Sequence, residues 1–222
     1  MAALSLPTLV IPAAGSAVRF GSKTPKQFLT LDGDMLLIKS IQAFVNAGIQ
    51  TCIVALPEAY KEEIQQQLTT VFSIDISCVS GGATRAESVY NAVMACTKAE
   101  TILVHDAARP LVSEDLIKKV IHALTHHDVV IPGIPVADTL KYVENSTVTT
   151  TLNRPMIKSI QTPQGFRLNV LKNAYKSVTL SELITDESLV CEQAGIPVHV
   201  IDGEIKNIKI THPEDLESLK KT

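Results

Sequence analysis

The segment that follows the first apolar run of the chain joins small residues to two cations. Its small residues are Pro12, Ala13, Ala14 and Gly15. Arg19 and Lys26 lie a few positions further along the chain. Small side chains let a backbone approach a ligand closely, and successive N–H groups in such a loop can bind phosphate oxygens. The spacing fits neither the GxGxxG dinucleotide pattern nor the GxxxxGK-S/T P-loop, so this is either another kind of phosphate loop or a tight turn with two surface cations.

A second set of polar residues lies in the segment VHDAARP at 104–110. We expect Asp106 at the carboxyl end of a buried strand. A carboxylate there can bind Mg²⁺ together with a nucleotide, because Mg²⁺ favours one or two carboxylates plus phosphate oxygens and water. The alternative is that Asp106 caps a turn or a helix. We interpret His105 as a packed or hydrogen-bonding histidine rather than a base.

Strands and helices are predicted to alternate between residues 8 and 132. Short apolar runs rich in β-branched residues occupy 8–12, 51–56, 74–79, 101–105 and 128–132, and helical patterns occupy 36–46, 58–70, 85–97 and 114–125. This alternation indicates right-handed βαβ units and an α/β fold: one Rossmann-like domain with a mainly parallel sheet flanked by helices. Ligands of such sheets bind at the carboxyl ends of the strands. The loops after Pro12, Val79 and His105 should therefore face one cleft.

Two helix starts carry the pattern of a capping box, in which a side chain at each end of the first turn satisfies a free backbone N–H group. The first pairs Thr84 with Glu87, and the second pairs Thr211 with Glu214. We therefore expect helices to begin just after Thr84 and just after Thr211.

The pattern changes at about 136–152, where threonine-rich, β-prone stretches flank a turn at 144–146. We interpret this segment as a protruding β-ribbon. An isolated two-stranded ribbon is marginally stable in water, so it needs a surface to pack on. A second copy of the chain is the simplest candidate and makes the ribbon a dimerisation arm. The alternative is a ribbon that folds back over its own domain.

Composition limits the classes of partner. The 222 residues are 45% hydrophobic and 19% charged, which is typical of one domain, here 1–222, with a sizeable core. The net charge of −3 provides no sequence-wide positive field for nucleic acid or an anionic membrane. No apolar run reaches the roughly 18 residues of a membrane span. Four scattered cysteines predict free thiols and a cytoplasmic protein.

The two polar segments resemble the sugar-phosphate nucleotidyltransferases. The tripeptide Pro25-Lys26-Gln27 and the VHDAARP segment are similar to the branch that transfers cytidylyl groups to 2-C-methyl-D-erythritol 4-phosphate. Further segments fall in the order of that family at 80–88, 135–141, 153–154, 161–164, 185–187 and 207–211. The resemblance covers nearly the whole chain. One departure is Ala17, which stands where the family commonly has a second glycine.

The resemblance implies a role for each matching residue. The implied catalytic residues are Arg19, Lys26, Arg154 and Lys209. The implied nucleotide-binding residues are Pro12, Ala13, Ala14, Gly15, Gly82, Arg85 and Ser88. The implied acceptor-binding residues are Asp106, Arg109, Thr139, Arg154 and Lys209, and Asp106 also holds the metal. The implied substrates are CTP and 2-C-methyl-D-erythritol 4-phosphate, the implied cofactor is Mg²⁺, and the implied assembly is a homodimer that shares its sites through the ribbon.

Two other functions fit part of the same pattern. Ribitol 5-phosphate cytidylyltransferases share the loop and the chemistry, but they typically have another residue pair where this chain has Ala107 and Ala108. A catalytically silent, nucleotide-binding subunit is the alternative from a different class. The presence of Arg19, Lys26 and Asp106 together argues against it, because a silent copy does not need all three.

Overall fold

An eight-stranded sheet lies at the centre of the computed structural model, which describes residues 5–15, 25–181 and 183–220. The strands are β1 (Thr8–Pro12), β2 (Thr30–Leu31), β3 (Asp34–Met35), β4 (Thr51–Leu56), β5 (Asp75–Ser80), β6 (Thr101–Val104), β7 (Val129–Pro135), β8 (Lys141–Glu144), β9 (Thr147–Thr151), β10 (Lys158–Ile160), β11 (Gln164–Arg167) and β12 (His199–Asp202). The helices are α1 (Leu36–Asn46), α2 (Lys61–Val71), α3 (Arg85–Ala95), α4 (Glu114–Ala123), α5 (Leu168–Ser177), α6 (Glu187–Gln193) and α7 (Pro213–Lys220).

The main sheet runs in the order β5-β4-β1-β6-β11-β7, and β10 and β12 also pair with β7. Strands β1, β4, β5 and β6 are parallel to their neighbours in that group. Strand β11 enters between β6 and β7 and is antiparallel to both. The prediction of a mainly parallel sheet is confirmed, although it did not include the later strands β10, β11 and β12.

Helices cover both faces of this sheet, as predicted. Side chains of α1, α2 and α4 pack on one face, and side chains of α3, α5 and α6 pack on the other. Strand β1 serves both layers, because Leu9 and Ile11 belong to the first core cluster and Val10 belongs to the second. Burial on both faces explains why the parallel strands are continuous apolar runs instead of alternating patterns.

Most predicted boundaries agree with the structure to within a few residues. The bounds of β1, β4 and α1 match those predicted. The helix predicted at 58–70 is divided into a 3₁₀ turn at Glu58–Tyr60 and α2.

The two predicted capping boxes have different outcomes. At α3, the Thr84 side chain accepts a hydrogen bond from the Glu87 N–H and the Glu87 side chain accepts from the Thr84 N–H, so this box is confirmed. The box predicted at Thr211 is wrong by one residue. The carboxylate of Asp215, rather than that of Glu214, accepts from the N–H groups of Thr211 and His212. The displacement follows from the helix start, because α7 begins at Pro213.

The predicted ribbon is a two-stranded antiparallel hairpin made of β8 and β9. Asn145 and Ser146 form its turn with positive φ angles of 47° and 62°, the backbone geometry of the tightest hairpin turns. Every residue of both strands is exposed. The ribbon therefore does not fold back as a buried layer on its own domain.

Two further predictions concern membrane-spanning segments and the state of the cysteines. Within 5–15, 25–181 and 183–220, no helix has the length and apolar character that a bilayer crossing requires. All four cysteines carry free thiols, with Cys52, Cys96 and Cys191 buried and Cys78 partly buried.

Candidate active site

The loops after β1 and β5 meet at the carboxyl edge of the sheet. The Ala13 N–H donates to the Ala55 carbonyl, and the Gly81 N–H donates to the Leu56 carbonyl, at 2.8 Å in both cases. A Cβ atom on Gly81 would lie only 2.2 Å from the Cβ of Ala14. Glycine is therefore required at 81 for the two loops to approach each other, and the predicted shared cleft is present here.

A buried glutamine fixes the orientation of the small-residue loop. The Gln27 side chain is 3% exposed. Its Nε2 donates to the carbonyl oxygens of Ala13 at 2.6 Å and Gly15 at 3.2 Å. Because the carbonyl groups of Ala13 and Gly15 point towards Gln27, the loop cannot reverse the direction of its peptide groups without losing these hydrogen bonds. Two residues of the predicted loop lie outside the described residues. They are Arg19 and Ala17, which stands where the family commonly has a second glycine.

The carboxylate of Asp106 lies among three cations. Its Oδ2 is 2.7 Å from Lys209 Nζ and 3.9 Å from Arg109 Nε, and its Oδ1 is 3.2 Å from Arg85 Nη2. The side chain is 9% exposed. Burial alone would raise the pKa of Asp106, but Arg85, Lys209 and Arg109 together hold that pKa well below its usual range. Asp106 is therefore an anion that gathers positive charge at the end of β6.

The Arg85 guanidinium connects Asp106 to a second acid. Arg85 Nε and Nη2 donate to Asp106 Oδ1, both at 3.2 Å. Arg85 Nη1 lies 3.0 and 3.1 Å from the two carboxylate oxygens of Glu187, which is fully buried. The guanidinium is planar and its donors have a fixed geometry. Asp106 and Glu187 thus hold two different edges of one rigid group.

His105 supports this region from the interior. It is fully buried, and burial lowers the pKa of its imidazole to about 4. Thr162 Oγ1 accepts from the Asp106 N–H, so its own proton can be donated to His105 Nδ1 at 3.0 Å. His105 Nε2 is then the protonated nitrogen and donates to the Arg109 carbonyl at 3.1 Å. The interpretation of His105 as a packed, hydrogen-bonding residue is confirmed.

A segment near the carboxyl terminus positions Lys209. The Gln161 side chain donates to the Glu204 carbonyl at 2.8 Å and accepts from the Glu204 N–H at 3.0 Å. Arg109 Nη1 donates to the Asn207 carbonyl at 2.7 Å. These bonds hold the segment before Lys209, and beyond it the Ile210 N–H donates to the Ala108 carbonyl at 2.8 Å. Lys209 therefore reaches Asp106 from a backbone that is fixed on both sides.

Lys26 approaches the same segment from the other side of the cleft. It begins the 3₁₀ turn Lys26–Phe28, and its Nζ donates to the Ile210 carbonyl at 3.3 Å. Ile210 follows Lys209 directly in the chain. The structure therefore brings the two predicted catalytic lysines to neighbouring positions, although 184 residues separate Lys26 from Ile210.

The predicted nucleotide-binding residues of α3 form a compact turn. Ser88 is 2% exposed; its hydroxyl donates to the Thr84 carbonyl at 2.8 Å and accepts from the Gly82 N–H at 3.1 Å. A Cβ on Gly82 would lie 2.2 Å from the Cβ of Glu87. Gly82 and Ser88 thus shape the loop between β5 and α3, opposite the small-residue loop.

Thr139 and Arg154 lie apart from this cluster within one chain. Both are exposed at the base of the ribbon, and Arg154 Nη1 donates to the Ala137 carbonyl at 2.7 Å. Over the described ranges, neither side chain forms a hydrogen bond or ion pair with Asp106, Arg109 or Lys209. The single chain therefore does not unite all the predicted acceptor residues.

Among the residues that the structure describes, Asp106 supplies carboxylate oxygens at the cleft, and oxygen is the ligand atom that magnesium prefers. The two Asp106 oxygens already contact Lys209 and Arg85. In the part of the chain that the structure describes, no group of three or more histidine, cysteine or acidic side chains could hold a metal ion. Magnesium commonly takes one carboxylate and completes its shell with substrate phosphates and water. Asp106 therefore fits an ion that arrives with a nucleotide.

Four buried polar residues support the site, but the sequence patterns assigned them no role. They are Gln27, Thr162, Glu187 and Asn207. Each lies in a segment that follows the order of the resembled family, and that order was the only available signal. Their partners are distant in sequence, so the hydrogen bonds they form could not be inferred from spacing.

Cations gathered at the carboxyl edge of a parallel sheet, beside a loop with little side-chain bulk, suit a polyphosphate. Together with the sequence motifs that lie here, they indicate a nucleotidyltransferase. The model of the 2-C-methyl-D-erythritol 4-phosphate cytidylyltransferase family matches residues 8–220. The enzyme of that name from Bacillus thuringiensis (strain Al Hakam) is 37% identical over 214 residues, which cover 94% of each chain. This chain belongs to the 2-C-methyl-D-erythritol 4-phosphate cytidylyltransferase family.

Solved structures agree in fold. The 2-C-methyl-D-erythritol 4-phosphate cytidylyltransferase of Thermus thermophilus superposes with a TM-score of 0.80 at 31% identity and 98% coverage of each chain. The 4-diphosphocytidyl-2C-methyl-D-erythritol synthase of Anaerococcus prevotii superposes with a TM-score of 0.84 at 28% identity and 97% coverage of each chain. The predicted fold class, family and enzyme class are confirmed.

Proposed function

We propose that this chain transfers the cytidylyl group of CTP to 2-C-methyl-D-erythritol 4-phosphate and releases pyrophosphate, as a step of isoprenoid precursor biosynthesis. The observation that carries the proposal is the gathering of Arg85, Lys209 and Arg109 around one buried aspartate at the carboxyl edge of the sheet. Lys26 binds the carbonyl of Ile210, the residue next to Lys209. The reaction brings two anions together. Positive charge held in a fixed geometry is therefore the main requirement of the site.

The transfer needs little covalent chemistry from the protein. A phosphate oxygen of the acceptor attacks the α-phosphorus of CTP, a new P–O bond forms, and the bond to the β-phosphate breaks with loss of pyrophosphate. In our proposal Lys26 and Arg19 stabilise the charge that develops on the transferring and leaving oxygens. Lys209 and Arg109 orient the acceptor phosphate, and Asp106 holds both of these cations in place.

The remaining nucleotide contacts come from the two loops that face each other across β4. Backbone N–H groups of the small-residue loop, at Ala14 and Gly15, face the nucleotide, and the Ala13 N–H is used in the hydrogen bond to the Ala55 carbonyl. Pro12 itself contributes only its shape, because proline has no N–H. Gly82, Arg85 and Ser88 bound the other side, with the Arg85 donors directed at Asp106 and Glu187.

Magnesium is the proposed cofactor, with Asp106 as its carboxylate ligand. The ion would neutralise phosphate charge and polarise the phosphoryl oxygens. The steps assigned to this chain are binding the two anions, orienting them and stabilising the developing charge.

A homodimer is the proposed assembly. Tyr142 and Val148 on the ribbon are each 55% exposed, and Met156 at its base is 80% exposed. An exposed ribbon with apolar side chains gains stability by packing on a neighbouring subunit. This arrangement would also bring Thr139 and Arg154 to the site of that neighbour, where they would complete the acceptor pocket. We further propose that the enzyme works in the cytoplasm and binds neither nucleic acid nor membrane.

A pyrophosphate-release assay tests the function. Purified protein with CTP and Mg²⁺ should release pyrophosphate rapidly with 2-C-methyl-D-erythritol 4-phosphate and slowly with ribitol 5-phosphate or without an acceptor. Mass spectrometry should identify the cytidine diphosphate ester as the product. Faster turnover with ribitol 5-phosphate would contradict the proposed acceptor. CTP binding without turnover on either acceptor would indicate a silent nucleotide-binding subunit.

A further inference from the structure

Glu187 is a fully buried acid whose partner reaches the active site. It is the first residue of α6, and both of its carboxylate oxygens contact Arg85 Nη1 at 3.0 and 3.1 Å. Burial raises the pKa of Glu187, and the charge of Arg85 opposes that shift. A buried carboxylate is costly unless it is paired. The position of Glu187 therefore depends on Arg85, and the orientation of Arg85 depends on Glu187.

Hydrogen bonds of Asp186 hold the start of α6 against the sheet. Asp186 caps the helix through Oδ1, which accepts from the Leu189 N–H at 3.0 Å and from the Ser188 hydroxyl at 2.9 Å. Its Oδ2 accepts from Gln164 Nε2 on β11 at 2.8 Å. Because the preceding residue is tied to a central strand, Glu187 presents its charge from a fixed point of the fold.

Arg85 transmits this constraint to Asp106. One edge of the guanidinium, at Nη1, is held by Glu187, and the atoms Nε and Nη2 both donate to Asp106 Oδ1 at 3.2 Å. Asp106 Oδ2 in turn lies 2.7 Å from Lys209 Nζ. A planar group held at two edges cannot rotate freely. Without Glu187, Arg85 could turn towards the phosphates in the cleft and leave one oxygen of Asp106 unpaired.

We propose that Glu187 is a positioning residue for cytidylyl transfer: through Arg85 it fixes Asp106 in the orientation that directs Lys209 to the acceptor phosphate. This inference rests on the proposed function for its kinetic consequences. It adds a residue that contacts neither substrate, and it explains why an acid is buried beneath a phosphate-binding cleft. The side chain contributes through orientation, since its own oxygens are enclosed by the protein.

The kinetic test compares Glu187→Gln and Glu187→Asp with a matched control, Val190→Ala. Val190 lies one turn along the same helix and is fully buried in the apolar core. Its truncation should lower the melting temperature and leave the kinetic constants of the folded enzyme unchanged. Glu187→Gln should lower kcat by about 10- to 100-fold and raise the KM for the acceptor, because small misplacements of positioning groups have effects of that order. The KM for CTP should change less.

Glu187→Asp keeps the charge but shortens its reach, so it should give kinetic constants between those of the wild type and Glu187→Gln. It also keeps the test decisive if Glu187→Gln fails to fold. If the Glu187 variants lose stability as Val190→Ala does, yet keep wild-type kcat and acceptor KM, Glu187 has a structural role only and the proposal is overturned.

A second readout is independent of activity. The Nε–H resonance of Arg85, identified by its absence in Arg85→Lys, should be sharp and protected from exchange in the wild type and broadened in Glu187→Gln. An equally protected resonance in Glu187→Gln would overturn the proposal. If the wild type released no pyrophosphate, the proposed function would fail, whereas this resonance would still report whether Glu187 holds Arg85.

Discussion

Replacing Asp106 with asparagine removes the charge shared by three cations while keeping the shape of the side chain. The carboxylate is 9% exposed, and its oxygens lie 2.7 Å from Lys209, 3.2 Å from Arg85 and 3.9 Å from Arg109. In Asp106→Asn the amide can still accept a hydrogen bond through its oxygen. Its NH₂ group, however, would face a cation, and the positive charges would repel one another without compensation.

The expected loss of stability follows from these contacts. Removing one partner of a buried ion pair typically costs about 3 to 5 kcal/mol. The Lys209 side chain is 40% exposed, so its share should approach the surface value of about 1 kcal/mol or less. The side chains of Arg85 and Arg109 are 27% and 10% exposed and should account for most of the effect. We expect a loss of about 3 kcal/mol, or a melting temperature lower by about 6 to 12 °C for a chain of this length.

The assay combines a thermal melt with pyrophosphate release over a magnesium titration. Asp32→Asn is the matched control, because Asp32 is 67% exposed and pairs with Lys39 at 3.5 Å. Asparagine also tolerates the positive φ of 53° at this position. The control should lose less than about 1 kcal/mol and keep its activity. Asp106→Asn should remain about a hundredfold or more below wild-type kcat at every magnesium concentration, since the orientation of Lys209 is lost together with the metal ligand.

Two results would refute this reasoning. Near-normal turnover of Asp106→Asn at low magnesium would make Asp106 a structural cap without a role in the reaction. Full recovery of activity at high magnesium would show that Asp106 acts only as a metal ligand. The contacts with Arg85 and Lys209 would then be unimportant for the transfer.

Three further outcomes are expected. Lys26→Ala should lower kcat and kcat/KM together by about a hundredfold with little change in melting temperature. Lys26→Arg should recover little of this activity. If Lys26→Ala raised only the KM for CTP, Lys26 would contribute to ground-state binding alone. Burial lowers the pKa of His105 to about 4 from about 6.5 in an unfolded chain. The contribution of His105 to the free energy of unfolding should therefore be constant above pH 6.5 and fall by about 3 kcal/mol as the pH drops towards 4. Urea titrations should show a flatter profile for His105→Gln, and an unchanged slope would contradict the assignment. Val148→Glu on the exposed ribbon should shift sedimentation towards monomer and lower activity, and a fully active monomer would exclude a site shared between subunits.

Local sequence signals predicted the elements that depend on local interactions. The bounds of β1, β4 and α1 agree with the structure because a doubly buried strand is a short continuous apolar run and an amphipathic helix has a repeat of about 3.6 residues, and both patterns are visible in the local sequence. The capping box at Thr84 was predictable because both of its partners lie within one helical turn. The failed box at Thr211 shows the limit of such patterns, since an acid one residue later satisfies the same N–H groups.

Family order identified the segments of the site without their contacts. It placed Lys26, Asp106 and Lys209 in the site, and the structure brings them to one cleft. It also included Glu187 and Gln27 but gave no indication of what they bind. Arg154 was expected to complete a site shared with a neighbouring subunit, and this stays a prediction; within the single chain Arg154 donates to the Ala137 carbonyl at the base of the ribbon.

The layered α/β architecture, the ribbon and the family could be predicted from the sequence, since they follow from apolar runs, turn residues and motifs that are continuous in the chain. Which charges meet became visible in the folded chain. Arg85 and Glu187 are 102 residues apart, and β11 enters between β6 and β7 against the direction of both. Buried ion pairs depend on the crossing of distant segments, and no local period records which segments will cross.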